Sequence, residues 1–242
     1  MLIIGDFHSH ILPGMDDGSK SVEESVALLE LEAAQGVQRV LLTPHFYPHN
    51  ESPGEFLSRR DEAERVLMEA ISGRDDIPHL TIGAEVAYYL GMSQSEELPL
   101  LAIRGTDCIL IEMPPAPWPK SVWRELYAIR EEHGLTPIIA HVDRYIRPLR
   151  TYGIPKRLEE SGMLVQANAN FFIRRETERF ALRMLKAGQI HLIGSDCHNL
   201  ETRRPNLQTA AEKIQRKLGL KALERISAVE HSILNPMNRM EC

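Results

Sequence analysis

Thiols are scarce in this chain. Three cysteines, Cys108, Cys197 and Cys242, stand among 242 residues with no paired spacing. That excludes a disulfide framework and fits a reducing, cytoplasmic compartment. A basic block is missing too: 28 Lys and Arg are interspersed with 34 Asp and Glu, for a net charge of −6. Binding a phosphate backbone needs clustered cations, so nucleic acid is not an expected partner. The N-terminus lacks a basic segment followed by a long apolar one, so no secretion signal is expected. No apolar run approaches the length of a membrane span. Apolar residues nevertheless make up 43% of the chain, enough for a sizeable core. At this length α/β barrels usually form one domain, and one domain over residues 1–242 is expected.

The first ten residues set the pattern for what is present. Leu2, Ile3 and Ile4 form a short apolar run of strand type, with His8 and His10 beyond it. Successive side chains on an extended chain face opposite ways, so the two imidazoles share a face and can close on one metal ion. Short histidine patterns recur by chance, and this pair gains weight only through repetition. Val40-Leu-Leu-Thr-Pro-His45, Leu80-Thr-Ile-Gly-Ala-Glu85 and Cys108-Ile-Leu-Ile-Glu112 also run apolar and end polar. So do Pro137-Ile-Ile-Ala-His141, Leu164-Val-Gln-Ala-Asn168 and the segment Ile190–His198.

Helical signals lie between these runs. Ser21 and Glu24 have capping-box spacing ahead of an apolar stripe of Val22, Val26, Leu29 and Ala33 that Gly36 closes. Further helices are expected from Pro53, around Trp123 to Gly134, from Thr177 to Gly188, and from about Thr202 to Arg225. The tail from Ser227 shows no clear periodicity. Strand and helix alternate without a break in composition, which favours a parallel sheet. Seven such units suggest a closed or nearly closed barrel, with an open sheet as the alternative. Functional residues in such barrels sit at the carboxyl ends of strands.

The residues gathered there are His8, His10, Asp17, His45, Glu85, Glu112, His141, Asp196 and His198. Five imidazoles and four carboxylates exceed the needs of one ion. Nitrogen and oxygen donors suit manganese, iron or zinc, with geometry deciding between them. Carboxylates can bridge ions, so a cluster of two or three is expected, and its net positive charge suits an anionic substrate.

Taken together, His8-x-His10 with Asp16-Asp17-Gly18, Thr43-Pro44-His45, Glu112, Ala140-His141-x-Asp-Arg144-Tyr145 and Ser195-Asp196-x-His198-Asn199 resemble the polymerase-and-histidinol-phosphatase (PHP) family. The likeness is closest to its bacterial capsule-associated protein-tyrosine phosphatases and runs from Asp6 to about Pro205. It implies a distorted (β/α)7 barrel holding three divalent ions, usually Mn2+. By that similarity His8, His10, Glu85 and Asp196 hold one ion. Glu85 bridges to a second held with Glu112 and His141, and Asp17, His45 and His198 hold the third. Arg144 and Arg203 match the positions that grip phosphate, and Asp143 stands where these phosphatases more often have Glu. The implied partner is the tyrosine-rich tail of an autokinase controlling capsule or exopolysaccharide export. A metal-bound water loses its proton near neutral pH and attacks phosphorus, so no side-chain nucleophile is required. His45 or His198 is available to protonate poorer leaving groups than a phenolate. Two alternatives accompany this reading: a phosphatase of a small phosphomonoester such as histidinol phosphate or a nucleotide, and a metal-sensing or scaffold module without activity.

Several features admit plainer readings. Cys197 to Arg203 spells the Cys-x5-Arg of cysteine-dependent phosphatases. The intervening residues hold no glycine, Glu201 adds negative charge, and a strand-end cysteine is more often a small buried hydrophobe. Asp16, beside Asp17, could exchange the ligand role with it, while the plainer reading is a turn residue before Gly18. Tyr47 and Trp118 fall in loops at the expected mouth, where exposure and stacking on a phenol ring are equally open. Arg147, Arg150, Arg174 and Arg175 either steer an acidic tail or are simply solvated, as scattered charges usually are.

Overall fold

A computed structural model describes residues 4–234, so Leu2, Ile3 and Cys242 lie outside the described residues. Every strand pairing is parallel. β1 (Asp6–Ser9), β2 (Arg39–Leu42) and β4 (His79–Ile82) form one sheet. β3 (His45–Phe46), β5 (Glu85–Ala87), β6 (Cys108–Glu112), β7 (Thr136–Ile139), β8 (Leu164–Asn168) and β9 (Leu192–Gly194) form the other. The seven expected units are all there, but the second and third are each broken in two. Pro44 lacks the N–H that a continuous ladder needs, and Gly83 interrupts the other run. These breaks divide the sheet and distort the barrel.

The seam lies between β9 and β1. There His8 O accepts from Asp196 N at 2.8 Å and His10 N donates to Cys197 O at 2.9 Å. β1 also changes register against β2, with Asp6 opposite Val40 and Ser9 opposite Leu42. Three residue steps therefore face two, which is a bulge. Its effect is visible in the side chains. Phe7 packs with Leu41, Leu110, Ile138 and Leu192, while its neighbour His8 meets Gln166 and Glu85. Simple alternation would have turned one of the two away. The bulge is what lets Phe7 and His8, neighbours in sequence, both face inward.

Helices α1 (Val22–Ala34), α2 (Pro53–Ala70), α3 (Lys120–His133), α4 (Ile154–Ser161), α5 (Ala169–Ile173), α6 (Glu178–Lys186), α7 (Leu207–Leu218) and α8 (Leu220–Leu234) complete the fold. Alternate strand residues such as Val40, Ile109, Ile139 and Ile193 share a large apolar cluster with Leu28, Phe56, Leu126 and Ile214 of the helices. α1 differs from expectation in its buried face. Ser25, Leu28, Leu29 and Glu32 are buried, whereas Val22, Val26 and Ala33 are only partly so. Ser21 does cap Glu24 N, but the Glu24 carboxylate accepts from Lys20 N, so the capping box is half formed. The complete box belongs to α2, between Ser52 and Glu55 with Pro53 in the first turn. The tail from Ser227 is helical as far as Leu234 and buries Glu230 and Ile233. Among the described residues no helix is long and apolar enough to cross a membrane.

Candidate metal centre

Strand tips build the site. His8 leaves β1, His45 opens β3, Glu85 opens β5, Glu112 ends β6, and His141 follows β7. Asp196 and His198 follow β9, and Asp17 comes from the loop after β1. His141 and Asp196 adopt positive φ, 29° and 55°. Non-glycine residues rarely do so, and such strain collects at functional sites.

Nine expected ligands occur in four overlapping groups whose donor atoms lie within 4.8 Å of one another. These are His10, Asp17, His45 and His198; His8, Glu85 and His141; His8, His10 and Asp196; and His45, Glu85 and Glu112. Glu85 is the hub. One oxygen lies 3.1 Å from His8 Nε2, 3.2 Å from His10 Nε2 and 3.1 Å from His45 Nδ1. Its other oxygen is 2.5 Å from His141 Nε2. The floor, with His8, Glu85 and His141, has no exposure at all. The rim opens outward, where the Asp17 side chain is 66% exposed.

The far ring nitrogens are held by other groups. His10 Nδ1 meets Asp16 Oδ2 at 2.7 Å, His8 Nδ1 meets the Gln166 amide oxygen at 3.3 Å, and His198 Nδ1 donates to Asp196 O at 3.0 Å. His141 Nδ1 lies 3.2 Å from the Tyr145 hydroxyl. With those nitrogens carrying the protons, the inner ones present lone pairs to carboxylates and to each other. His8 Nε2 and His10 Nε2 are 3.1 Å apart. Such an arrangement is repulsive unless a proton or a cation sits among the lone pairs, and outer partners of this kind fix metal-binding imidazoles. His45 Nδ1 and His198 Nε2 are buried without any hydrogen bond. Burial holds His45 below the usual imidazole range and, with His10 nearby, His198 at about 4, so both are neutral donors. His10 goes the other way. Burial opposes its charge, but the Asp16 and Glu85 bonds carry it up to about 10. Acid and metal would therefore compete for His10. The residues present fit divalent ions bound by nitrogen and oxygen.

Arg144 reaches Glu112 at 2.9 Å and Asp196 at 2.7 Å, and Arg203 reaches Asp196 at 2.7 Å. Asp143 does not touch Arg144; it accepts from Asn168 N. Tyr47 stacks on His45 with ring centres 4.9 Å apart, half-buried at the mouth. Trp118 departs from expectation. It is buried, donates its indole N–H to Pro114 O and packs on Trp123 and Tyr145, so it does not face a substrate. Cys197 is fully buried, and its thiol is pushed well up by burial and by Glu32 and Asp6. A neutral, enclosed thiol is no nucleophile.

Three positions escaped sequence reasoning, and the role of a fourth, Asp16, was left between ligand and turn. Asp16 is more than a turn residue: it binds Gly18 N, His10 and His45 N together. Gln166 holds His8 and His141 N, and Asn168 donates to Asp196 at 2.8 Å. Asp6 accepts from His8 N, Ser195 N and the Ser195 hydroxyl. A signal existed for the amides, since Gln166 and Asn168 alternate on one face of a strand that ends polar.

A parallel barrel whose rim gathers histidines and carboxylates is the arrangement of PHP-type metal-dependent hydrolases. Within that class the chain belongs to the family described as capsular polysaccharide synthesis, CpsB/CapC, whose model matches residues 4–238. It is 30% identical over 236 residues to the tyrosine-protein phosphatase CpsB of Streptococcus pneumoniae, covering 91% of this chain and 93% of that one. It is 29% identical over 221 residues to the tyrosine-protein phosphatase YwqE of Bacillus subtilis, covering 88% and 85%. A crystal structure from work on those two proteins, described as unique metal-dependent tyrosine phosphatases, matches with a TM-score of 0.82 at 26% identity, over 96% and 95% of the chains. Histidinol phosphate phosphatase of Lactococcus lactis, solved with zinc, L-histidinol and phosphate, matches at 0.58 and 16% identity over 92% and 94%, which speaks to fold alone.

Proposed function

We propose that this protein hydrolyses phosphotyrosine on a protein substrate, in the cytoplasm, at a centre of three divalent ions. The class is a metal-dependent phosphoric monoester hydrolase of the tyrosine-phosphatase type. The carrying observation is the gathering of nine nitrogen and oxygen donors into four overlapping groups, with four imidazoles around Glu85 and with His45 Nδ1 and His198 Nε2 each facing a carboxylate without a hydrogen bond. His8, His10, Glu85 and Asp196 would hold one ion, Glu85, Glu112 and His141 a second, and Asp17, His45 and His198 a third. The donor set suits Mn2+, with iron or zinc as alternatives.

When bound, the ions supply an acidified water and compensate charge on the phosphoryl oxygens. The side chains do the rest. Arg144 and Arg203 approach Asp196 from two sides, so a phosphoryl group docking there meets two guanidinium groups able to donate paired hydrogen bonds. Asp16, Gln166 and Tyr145 fix the imidazoles that face the ions. Tyr47, stacked on His45, offers a flat face to a phenol ring. A phenolate leaves without help; His45 and His198, neutral and turned toward the ions, have no proton to give a poorer leaving group. The family's link to capsular polysaccharide synthesis supports a tyrosine autokinase tail as substrate.

The test compares kcat/KM for a phosphotyrosine peptide, histidinol phosphate and a nucleotide monophosphate after reconstitution with Mn2+. The peptide is expected to lead by at least about tenfold, an advantage of roughly 1.4 kcal/mol in the transition state. A lead for either small substrate would overturn the phosphotyrosine assignment, and loaded protein inert on all three would favour a sensor or scaffold.

A further inference from the structure

The centre opens on one side into a cleft of about 930 Å³, and the charges along it are unequal. At its inner end Arg144 and Arg203 are held by Asp196. At its outer end stand Arg147, Arg150 and Arg174, all exposed, with Glu176 the one exposed carboxylate lining that end. None of the three forms an ion pair among the described residues. This occurs in a chain of net charge −6, so the cationic cleft is a local feature.

Two of these arginines are held together by the backbone. Arg147 N donates to Arg150 O at 3.1 Å and Arg150 N to Arg147 O at 2.9 Å, an antiparallel bridge around Pro148 and Leu149. Directly opposed residues of an antiparallel pair project on the same face. Like charges so placed repel and cost stability, which an intervening carboxylate relieves. Pro148 limits the turn's freedom, so the pair is set in position before any ligand arrives. Arg174 faces the same cleft from the segment that follows α5.

We infer that this outer cleft is a binding subsite for acidic side chains flanking the phosphotyrosine, so that the enzyme selects acidic phosphopeptides through Arg147, Arg150 and Arg174. The inference rests on the phosphotyrosine reading and deepens it. The inner arginines take the phosphoryl group, and the outer three take carboxylates of the same chain.

Two phosphotyrosine peptides of equal length decide it, one with Glu and one with Gln at every flanking position. For the wild-type protein kcat/KM is expected to be roughly five- to twentyfold higher for the acidic peptide, the sum of a few solvent-exposed pairs. That ratio should fall toward one in Arg147→Gln/Arg150→Gln/Arg174→Gln, and toward one in wild type at 0.5 M salt, since exposed pairs are screened. Equal rates on the two peptides in wild type overturn the subsite. Turnover of p-nitrophenyl phosphate by wild type reports the centre separately. If it and both peptides are inert, the phosphatase reading fails. Fluorescence anisotropy of the two peptides carrying a phosphonate analogue then judges the cleft alone, with tighter acidic binding upholding it and equal binding overturning it. Binding to phosphatidylglycerol vesicles that the triple variant loses, with peptide selectivity intact, would assign the arginines to a membrane surface and overturn the proposal.

Discussion

Glu85 shows how one side chain can organise a site. Four imidazoles surround its two oxygens, and His8 and His141 hold it ionised well below the usual carboxylate range despite complete burial. Removing it leaves four histidines facing each other with no shared anion. Glu85→Ala is expected to lower kcat/KM on the order of a thousandfold and to reduce bound metal, read by elemental analysis. His49, exposed and beyond Tyr47, serves as the control: His49→Ala should change neither by more than about twofold, an effect below 0.5 kcal/mol. Comparable losses at both positions would refute the map of the centre. The residues that gather at the centre were, apart from Asp17, legible in sequence because each lies at or just beyond the end of an apolar run, a pattern that survives without knowledge of the fold. Asp16 and Gln166 were not, because their work lies in which ring nitrogen they hold, and spacing carries no trace of it. Trp118 misled for a related reason: a proline-rich loop reads as exposed, yet Trp123 and Tyr145 cover its ring.

Individual strands reveal what periodicity could and could not foretell. Six of the seven runs hold a strand, and the first unit has its strand at Asp6–Ser9, past the apolar run of which Leu2 and Ile3 lie outside the described residues; the breaks at Thr43-Pro44 and Gly83-Ala84 and the bulge in β1 were hidden, because each depends on neighbours in the barrel. The buried face of α1 was misassigned for the same cause. Ser25 and Glu32 face inward because Ser25 donates to Ile11 O and Glu32 lies beside Asp6 and Cys197 behind the seam. Closure at the seam depends on Gly194. A Cβ there would sit 2.5 Å from His8 Cβ, 2.8 Å from His8 N and 2.9 Å from Gln166 Nε2. Two of these belong to His8 on β1, so an added methyl must push β1 from β9. Gly194→Ala is expected to cost about 1–3 kcal/mol, a fall in Tm of roughly 3 to 10 °C, and to weaken metal retention. Gly54, in the first turn of α2 with open space around it, should tolerate alanine with Tm unchanged or slightly raised. A Gly194→Ala protein as stable as wild type and still loaded with metal would show that seam spacing does not govern the site.

At the scale of the whole molecule the barrel has two ends with opposite roles, and α8 closes the one without chemistry. Ile233 joins the inner apolar layer, while Glu230 accepts from Gly5 N at 2.9 Å and from Arg39 at 3.3 Å. Burial pushes the Glu230 carboxyl up to about 7, against the pull of Gly5 and Arg39, and one of its oxygens has no partner. Its ordinary value is 4.5. For an acid raised on folding, the unfolded chain gives up the proton first. The stabilising contribution is therefore complete below about pH 4.5 and is lost as pH climbs through 7. The interval corresponds to roughly 3 kcal/mol at most. Glu230→Gln keeps an acceptor and cannot ionise. Its Tm should match wild type near pH 5 and exceed it by several degrees at pH 8, in paired thermal melts across that range. An offset that does not change with pH would mean that Glu230 keeps its ordinary acidity in the fold. The tail from Ser227 showed no periodicity because it is only the second half of α8: the buried stripe begins at Leu223 and Ile226 and is interrupted by Glu230 before Ile233, so the contact of Glu230 with a strand end and an arginine could not be foreseen.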